Sequence, residues 1–121
     1  MQRIRSKGTL PERIIAKELR RRKIYFAQNV SSITGKPDIV FRRKKVLVFI
    51  DSDFWHGNPR RFVMPKSNIK YWRKKIRRNR ERDKEVNAAL RKSGWTVLRI
   101  WESGIKKNLT LCIEKIIDWI D

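Results

Sequence analysis

The sequence has little of what builds cross-linked or metal-stapled proteins. One cysteine and one histidine stand among 121 residues. A lone cysteine excludes an intramolecular disulfide, and with a lone histidine it excludes a Cys-rich structural zinc site. Cys112 falls in the apolar stripe Leu109, Cys112, Ile113, Ile116 and reads as a buried structural thiol. No apolar run approaches the ~20 residues of a membrane-spanning helix. The opening residues Met1-Gln2-Arg3-Ile4-Arg5-Ser6-Lys7 carry no apolar run of a secretory signal, so an intracellular setting is expected. Acids are scarce as well, with 12 Asp and Glu against 32 Lys and Arg.

What is present follows from that last shortage. The formal charge is +20, which is self-repelling on a small domain unless a polyanion relieves it. Nucleic acid is the usual polyanion, bound through phosphate neutralisation and counterion release. A membrane-surface protein would instead want one basic amphipathic helix with exposed aromatics. Five tryptophans and a 40% apolar fraction oppose disorder and fit one compact domain over residues 1–121, with residues 1–8 as a basic arm.

Along the chain, Thr9-Leu10-Pro11-Glu12 reads as a helix start with a capping box, the helix running to about residue 23 and burying Ile15 and Leu19. A short strand is expected over Ile24 to Gln28. Pro37 to Phe41 is a strand entered through a proline, at an edge or a strand start. Arg42-Arg43-Lys44-Lys45 is a charged turn, and Val46 to Ile50 is apolar throughout, as a central strand covered on both faces should be. Residues 52–67 form a long loop, and such a loop in a small domain is usually functional. A long helix runs from Asn68 to about Lys92 with Ile69, Trp72, Ile76, Val86 and Leu90 inward, interrupted by polar Asn79 and Asp83. Its other face carries Lys70, Arg73, Lys74, Arg77, Arg78 and Arg80. Ser93-Gly94 ends it. Trp95 to Trp101 is a strand, and a last helix covers about 108–120. The order αβββαβα gives an α/β fold, a central mixed β-sheet flanked by helices.

The residues that could carry chemistry cluster after that central strand. If residues 42–45 turn a hairpin, Phe41 faces Val46, Asp38 faces Phe49, and Asp51 lies on the same face as Asp38. Diagonal neighbours on one face are roughly 7–8 Å apart, a separation that can share a hydrated divalent cation. Oxygen-only ligands favour magnesium over zinc. Either acid could instead be a solvated strand-end residue, Asp51 and Asp53 more readily than Asp38. His56 follows the acids and could take a proton from water attacking a phosphodiester. Phe54 and Trp55 beside it either plug the core or wedge between base steps. Glu12 either caps its helix or serves the site. Lys75 and Asn79, one helical turn apart, share a face and could read base edges, with Lys75 otherwise one more phosphate-facing cation.

The runs Arg5-Ser6-Lys7-Gly8-Thr9, Gly35-Lys36-Pro37-Asp38-Ile39-Val40, Phe54-Trp55-His56-Gly57, Tyr71-Trp72 through Asn79 to Arg82-Asp83, and Gly94-Trp95 through Ile100-Trp101-Glu102 stand in one order. Together they resemble the very short patch repair endonucleases over nearly the whole chain. The resemblance implies a restriction-endonuclease-like (PD-(D/E)XK-type) core and magnesium-dependent nicking of duplex DNA beside a T:G mismatch. It implies that Asp38 and the carbonyl of Ile50 bind magnesium, that His56 is the general base, and that Glu12 is the family's N-terminal helix acid. Phe54 and Trp55 correspond to intercalating aromatics, and Lys75 and Asn79 to residues approaching the mismatched pair. The chain departs from the family in three places. Ser103 stands where a cysteine can stand, and Gly57-Asn58-Pro59-Arg60-Arg61, where a structural zinc is often bound, holds neither Cys nor a second His, so no zinc is expected; Ser52 and Asp53 stand where a Gly and a Cys often precede the aromatic pair. Asp51 replaces a family histidine, and Asp53 adds an acid near the site. Expected partners are mismatched double-stranded DNA in the cytoplasm at the nucleoid and no membrane, with the protein a monomer because one nick needs one active site. The competing readings are a restriction-like or general nickase of the same fold, and a non-catalytic DNA-binding protein that kept it.

Overall fold

The computed structural model describes residues 10–53, 58 and 63–121. It begins with helix α1 (Leu10–Arg21), whose buried stripe Ile15, Ala16 and Leu19 recurs at helical spacing. The helix ends where Lys23 turns into the left-handed region (φ 60°) and Ile24 N–H bonds back to the Leu19 carbonyl at 3.0 Å. Strands β1 (Ala27–Gln28), β2 (Ile39–Phe41) and β3 (Val46–Asp51) follow as an antiparallel meander. The long helix α2 (Ile69–Lys92) then carries the chain back to β4 (Thr96–Trp101), which pairs parallel to β3. Two helices close the order, α3 (Glu102–Lys107) and α4 (Leu109–Ile120). The sheet is therefore mixed, in the order β1-β2-β3-β4 with helices on both faces, as expected for a PD-(D/E)XK-like core.

The hairpin register follows the sequence pattern: Phe41 pairs with Val46, Val40 with Leu47 and Ile39 with Val48. Because side chains alternate across a strand, one residue's slip would turn every apolar group to the wrong face. Ile39, Phe41, Val46 and Val48 point to α1, α3 and α4, where they meet Ile15, Leu19, Ile105, Ile113 and Ile116. Val40, Leu47, Phe49 and Val97 point the other way, to Leu90 and Val86 of α2. Cys112 is buried and free, its thiol pushed up by burial.

Three expectations need correction. The first strand is only Ala27–Gln28, because Ile24 and Tyr25 complete the turn after α1, where Tyr25 is exposed. The last helix, α4, lies where expected, but a further helix, α3, precedes it and ends as Asn108 leaves helical geometry (φ −152°), the Asn108 side chain capping α4 through Leu111 N–H. The order is thus αβββαβαα. Ile69 is not inward: it is 42% exposed, and α2 buries only Ile76 and Leu90 fully, since its N-terminal part extends past the sheet. Pro37 stands just before the start of a strand, one of the two places expected for it, since β2 begins at Ile39 and lies between β1 and β3.

Two glycines set the approach to the site. Gly94 (φ 93°) ends α2 in a Schellman arrangement, with Trp95 N–H on the Leu90 carbonyl and Gly94 N–H on that of Arg91, both at 3.0 Å. Gly35 (φ 81°) lets the loop before β2 lie against α2, since a Cβ there would stand 2.6 Å from Val86 Cγ1. That close approach brings Lys36, Pro37 and Asp38 to the end of the central strand.

Candidate active site

Where β2 begins and β3 ends, the sheet and α2 diverge around a cavity of about 410 Å³, lined among others by Asn29, Lys36, Asp38, Asp51, Asp83 and Arg99. Asp38 is fixed by backbone pairing on both sides: its N–H donates to the Val48 carbonyl at 3.0 Å, and its carbonyl accepts from Asn29 N–H at 3.1 Å. Its carboxylate Oδ2 accepts the Ile50 N–H at 2.7 Å. The hairpin that sets the register therefore also aims this acid at the end of the central strand. Burial pushes the Asp38 carboxyl up to about 7, the Ile50 N–H opposing the shift and the charges of Glu12 and Asp51 adding to it.

Glu12 reaches Asp38 from α1. It is 1% exposed, and neither carboxyl oxygen has a hydrogen-bond partner among the described residues. Its influence on Asp38 is that of a nearby charge, without a well-aligned hydrogen bond. A buried carboxylate without partners is costly and calls for an ion, a proton or water. The capping box that would have paired it with Thr9 lies outside the described residues.

These groups fit a hydrated divalent cation. Two oxygen-bearing residues, Asp38 and Ile50, line the cavity together, and a carboxylate with unsatisfied oxygens stands behind them. Among the described residues no three Asp, Glu, His or Cys side chains come together as a group that could hold a metal ion. Magnesium suits such a set, because it keeps several waters and takes only one or two carboxylates from the protein.

Asp51 enters the cavity as the hairpin register predicts, but it is not a bare acid. It is 6% exposed, and its Oδ1 accepts Arg99 Nη1 at 2.8 Å. Arg99 is held in turn by Asn87, whose Oδ1 accepts its Nε at 2.8 Å, and by Asp83 at 3.6 Å. Its guanidinium also lies over the Phe49 ring, 4.2 Å from the centroid.

The sequence profile described as DNA mismatch endonuclease Vsr matches residues 1–61. The chain is 44% identical over 118 residues to the type II nicking enzyme V.NmeDIP of Neisseria meningitidis serogroup C, spanning 96% of this chain and 80% of that protein. It is 41% identical over 107 residues to the type II nicking enzyme V.HpaIIP of Haemophilus parainfluenzae, with 86% and 75% covered. To the DNA mismatch endonuclease Vsr of Escherichia coli strain K12 it is 29% identical over 125 residues, with 99% and 80% covered. The chain belongs to the Vsr endonuclease family.

Against the Vsr pattern, the structure gathers Asp38, Ile50, Asp51 and Glu12 at one end of the sheet. His56, Phe54 and Trp55 lie outside the described residues. Lys75 and Arg78 are exposed on α2, and Asn79 is half-buried one turn before Asp83, which lines the cavity. Helix α2 carries eleven Lys and Arg against three Asp and Glu, so its solvent face is a cationic rail beside the cavity. Asp53 does not line the cavity among its described neighbours. Its Oδ1 instead accepts Asn58 Nδ2 at 2.8 Å and Ser103 Oγ at 2.9 Å, while Asn58 N–H bonds to the Asp53 carbonyl at 2.8 Å. Hydrogen bonds therefore join two positions where Vsr proteins can carry cysteines.

Sequence reasoning missed Arg99 and Asn87. A signal existed for the first. An arginine in the middle of a strand beside an all-apolar neighbour needs a carboxylate, and Asp51 at the end of that neighbour is the natural one.

Proposed function

We propose that this chain nicks one strand of duplex DNA with magnesium. The observation that carries the reading is the Asp38 carboxylate, held on the Ile50 amide at 2.7 Å in a cavity flanked by the cationic face of α2. Asp38 and the Ile50 carbonyl hold the cation. Magnesium, when bound, offsets the negative charge that develops on the phosphate and the leaving oxygen. His56 takes the proton of the attacking water. Glu12 adds negative potential behind Asp38 that the cation offsets, and Lys75, Arg78 and Asn79 keep the duplex against α2. A non-catalytic role is disfavoured by the cost of keeping Glu12 beside Asp38: a buried carboxylate with no hydrogen-bond partner among the described residues, next to a second buried acid, is retained for a cation more readily than for packing.

The target has two readings. Two of the relatives are named as type II nicking enzymes and share over two-fifths of their aligned residues with this chain, against 29% for the named mismatch endonuclease. That favours a restriction-associated nickase whose target is set by its own DNA contacts. The second reading is nicking beside a T:G mismatch. It rests on Phe54 and Trp55, which could wedge into a base step at a cost of a few kcal/mol that is least where pairing is already defective. Supercoiled plasmid and a duplex panel containing every mismatch, incubated with magnesium or with EDTA, separate the readings. Magnesium-dependent open circles support nicking. Equal cutting of matched and T:G duplexes sinks the mismatch reading, and no cutting of any DNA sinks both.

A further inference from the structure

Arg99 joins three elements at the site. It belongs to β4, opposite Phe49 in the parallel register. Its Nη1 bonds Asp51 at the end of β3, its Nε bonds Asn87 on α2, and Asp83 on α2 lies 3.6 Å from Nη1. The Phe49 ring supports the guanidinium plane from one side. A planar fork can make these contacts at once, where a lysine ammonium would have to choose among them. The side chain is 19% exposed and lines the same cavity as Asp38, so its charge acts in a partly desolvated space. Asp51 also bears on Asp38, because the two acids line the same cavity, one just before β2 and the other at the end of β3.

We propose that Arg99 is a positioning residue that works through Asp51. It restrains the Asp51 carboxylate on the guanidinium beside Asp38, which keeps this second acid from capturing the cation or repelling the phosphate. It ties that restraint to Asp83 and Asn87 on the DNA-facing helix. The inference rests on the reading of the cavity as a metal-dependent nuclease site. It goes beyond that reading by giving Asp51 the role of a restrained charge and Arg99 the role of its holder.

The test combines Mn²⁺ binding to the protein without DNA, read from the paramagnetic resonance of free Mn²⁺, with nicking per folded molecule. Four variants are compared: Arg99→Met, Arg99→Lys, Asp51→Asn and the double variant of Arg99→Met with Asp51→Asn. Release of the Asp51 carboxylate should tighten Mn²⁺ binding by about fivefold or more in Arg99→Met. Its kcat should fall about tenfold or more while KM for DNA rises. In the Asp51→Asn background the same arginine substitution should change neither quantity by more than about twofold, the non-additivity expected of residues that act together. Arg99→Lys should fall between the wild type and Arg99→Met. Mn²⁺ binding that is unchanged or weaker in Arg99→Met overturns the proposal, as do effects that persist undiminished without the Asp51 charge. A lowered Tm with binding and kcat intact makes Arg99 a structural ion pair and overturns it too. A wild type that binds Mn²⁺ but cuts no DNA defeats the nuclease reading alone, and the binding cycle still decides the role of Arg99.

Discussion

The two faces of the sheet are built to different ends. Towards α1, α3 and α4 the sheet is sealed: Ile15, Leu19, Ile39, Val48, Ile113 and Ile116 are fully buried, and their neighbours are apolar. Towards α2 the apolar cluster is smaller, centred on Val40, Leu47, Phe49, Leu90 and Val97, and it passes within one strand alternation into Asp38, Asp51 and Arg99. Apolar burial stabilises the first face by roughly 25 cal/mol for each Å² removed from water. On the second face part of that gain is offset by desolvated charges, which need partners or a ligand. Stability is concentrated on one face and chemistry on the other, and substitutions on the two should behave oppositely.

Asp38→Asn should show the largest effect and the clearest opposition. Removing the carboxylate that would hold the cation should lower nicking by at least about 10³-fold, near 4 kcal/mol of barrier. The metal-free protein should become more stable at pH 8, because a carboxyl raised from 3.8 to about 7 resists ionisation in the folded state. The sign follows from proton linkage. The folded state binds this proton more tightly than the unfolded chain, so the stabilising contribution is complete below pH ~3.9 and is lost as pH rises to about 7. At ~1.36 kcal/mol per unit the loss amounts to about 4 kcal/mol across that window. Urea unfolding in EDTA from pH 4 to pH 8 should show this downward slope in the wild type and a shallower one in Asp38→Asn. Parallel slopes in the two proteins would remove Asp38 from the account.

On the sealed face the opposite pattern should hold. Ile113 is fully buried against both the sheet and its neighbouring helices. Ile113→Ala should cost about 2–5 kcal/mol in urea unfolding, with kcat per folded molecule unchanged. Val97→Ala, on the α2 face, should cost only about 1–2 kcal/mol for its two methyl groups. An equal loss at both positions would show that the two apolar clusters contribute alike, against the division drawn above.

Much of this division is written locally in the sequence. The apolar run Val46–Phe49 and the four-residue turn before it fix the hairpin register, and the register alone puts Asp38 and Asp51 on one face. Helical spacing finds α1, α2 and α4 for the same reason, since each buries a continuous stripe. What stayed hidden depends on distance or brevity. Arg99 meets Asp51 across 48 residues of chain and Asn87 across 12, and no local pattern records such a meeting. Helix α3 has six residues, two of them Ser103 and Gly104, too few to show a period and too rich in poor helix formers to show a propensity. Ile69 fits the stripe of α2, but the sheet ends before it, so the stripe continues into solvent.

The smallest expected effect tests whether the boundary between the two faces is itself held in place. Asp53 leaves β3 just beyond the acids and accepts hydrogen bonds from Asn58 and from Ser103, which opens α3 on the sealed side. Ser103→Ala removes only one of these bonds. Asp53 keeps Asn58, and the serine hydroxyl leaves no buried donor behind, so the stability loss should be about 1 kcal/mol. Asp53→Ala removes both acceptor contacts at once, one of them to Asn58, a residue only 5% exposed. It should therefore cost more, about 1–3 kcal/mol. If the contact only stiffens the fold, both variants keep the wild-type kcat per folded molecule. If it aligns the segment leading to His56, kcat falls in both, in the same order as the stability loss, while Mn²⁺ affinity at Asp38 stays unchanged. Mn²⁺ affinity that moved with kcat would place Asp53 inside the charged cavity, on the side of Asp51 and Arg99, and the boundary between the faces would have to be redrawn through β3 itself.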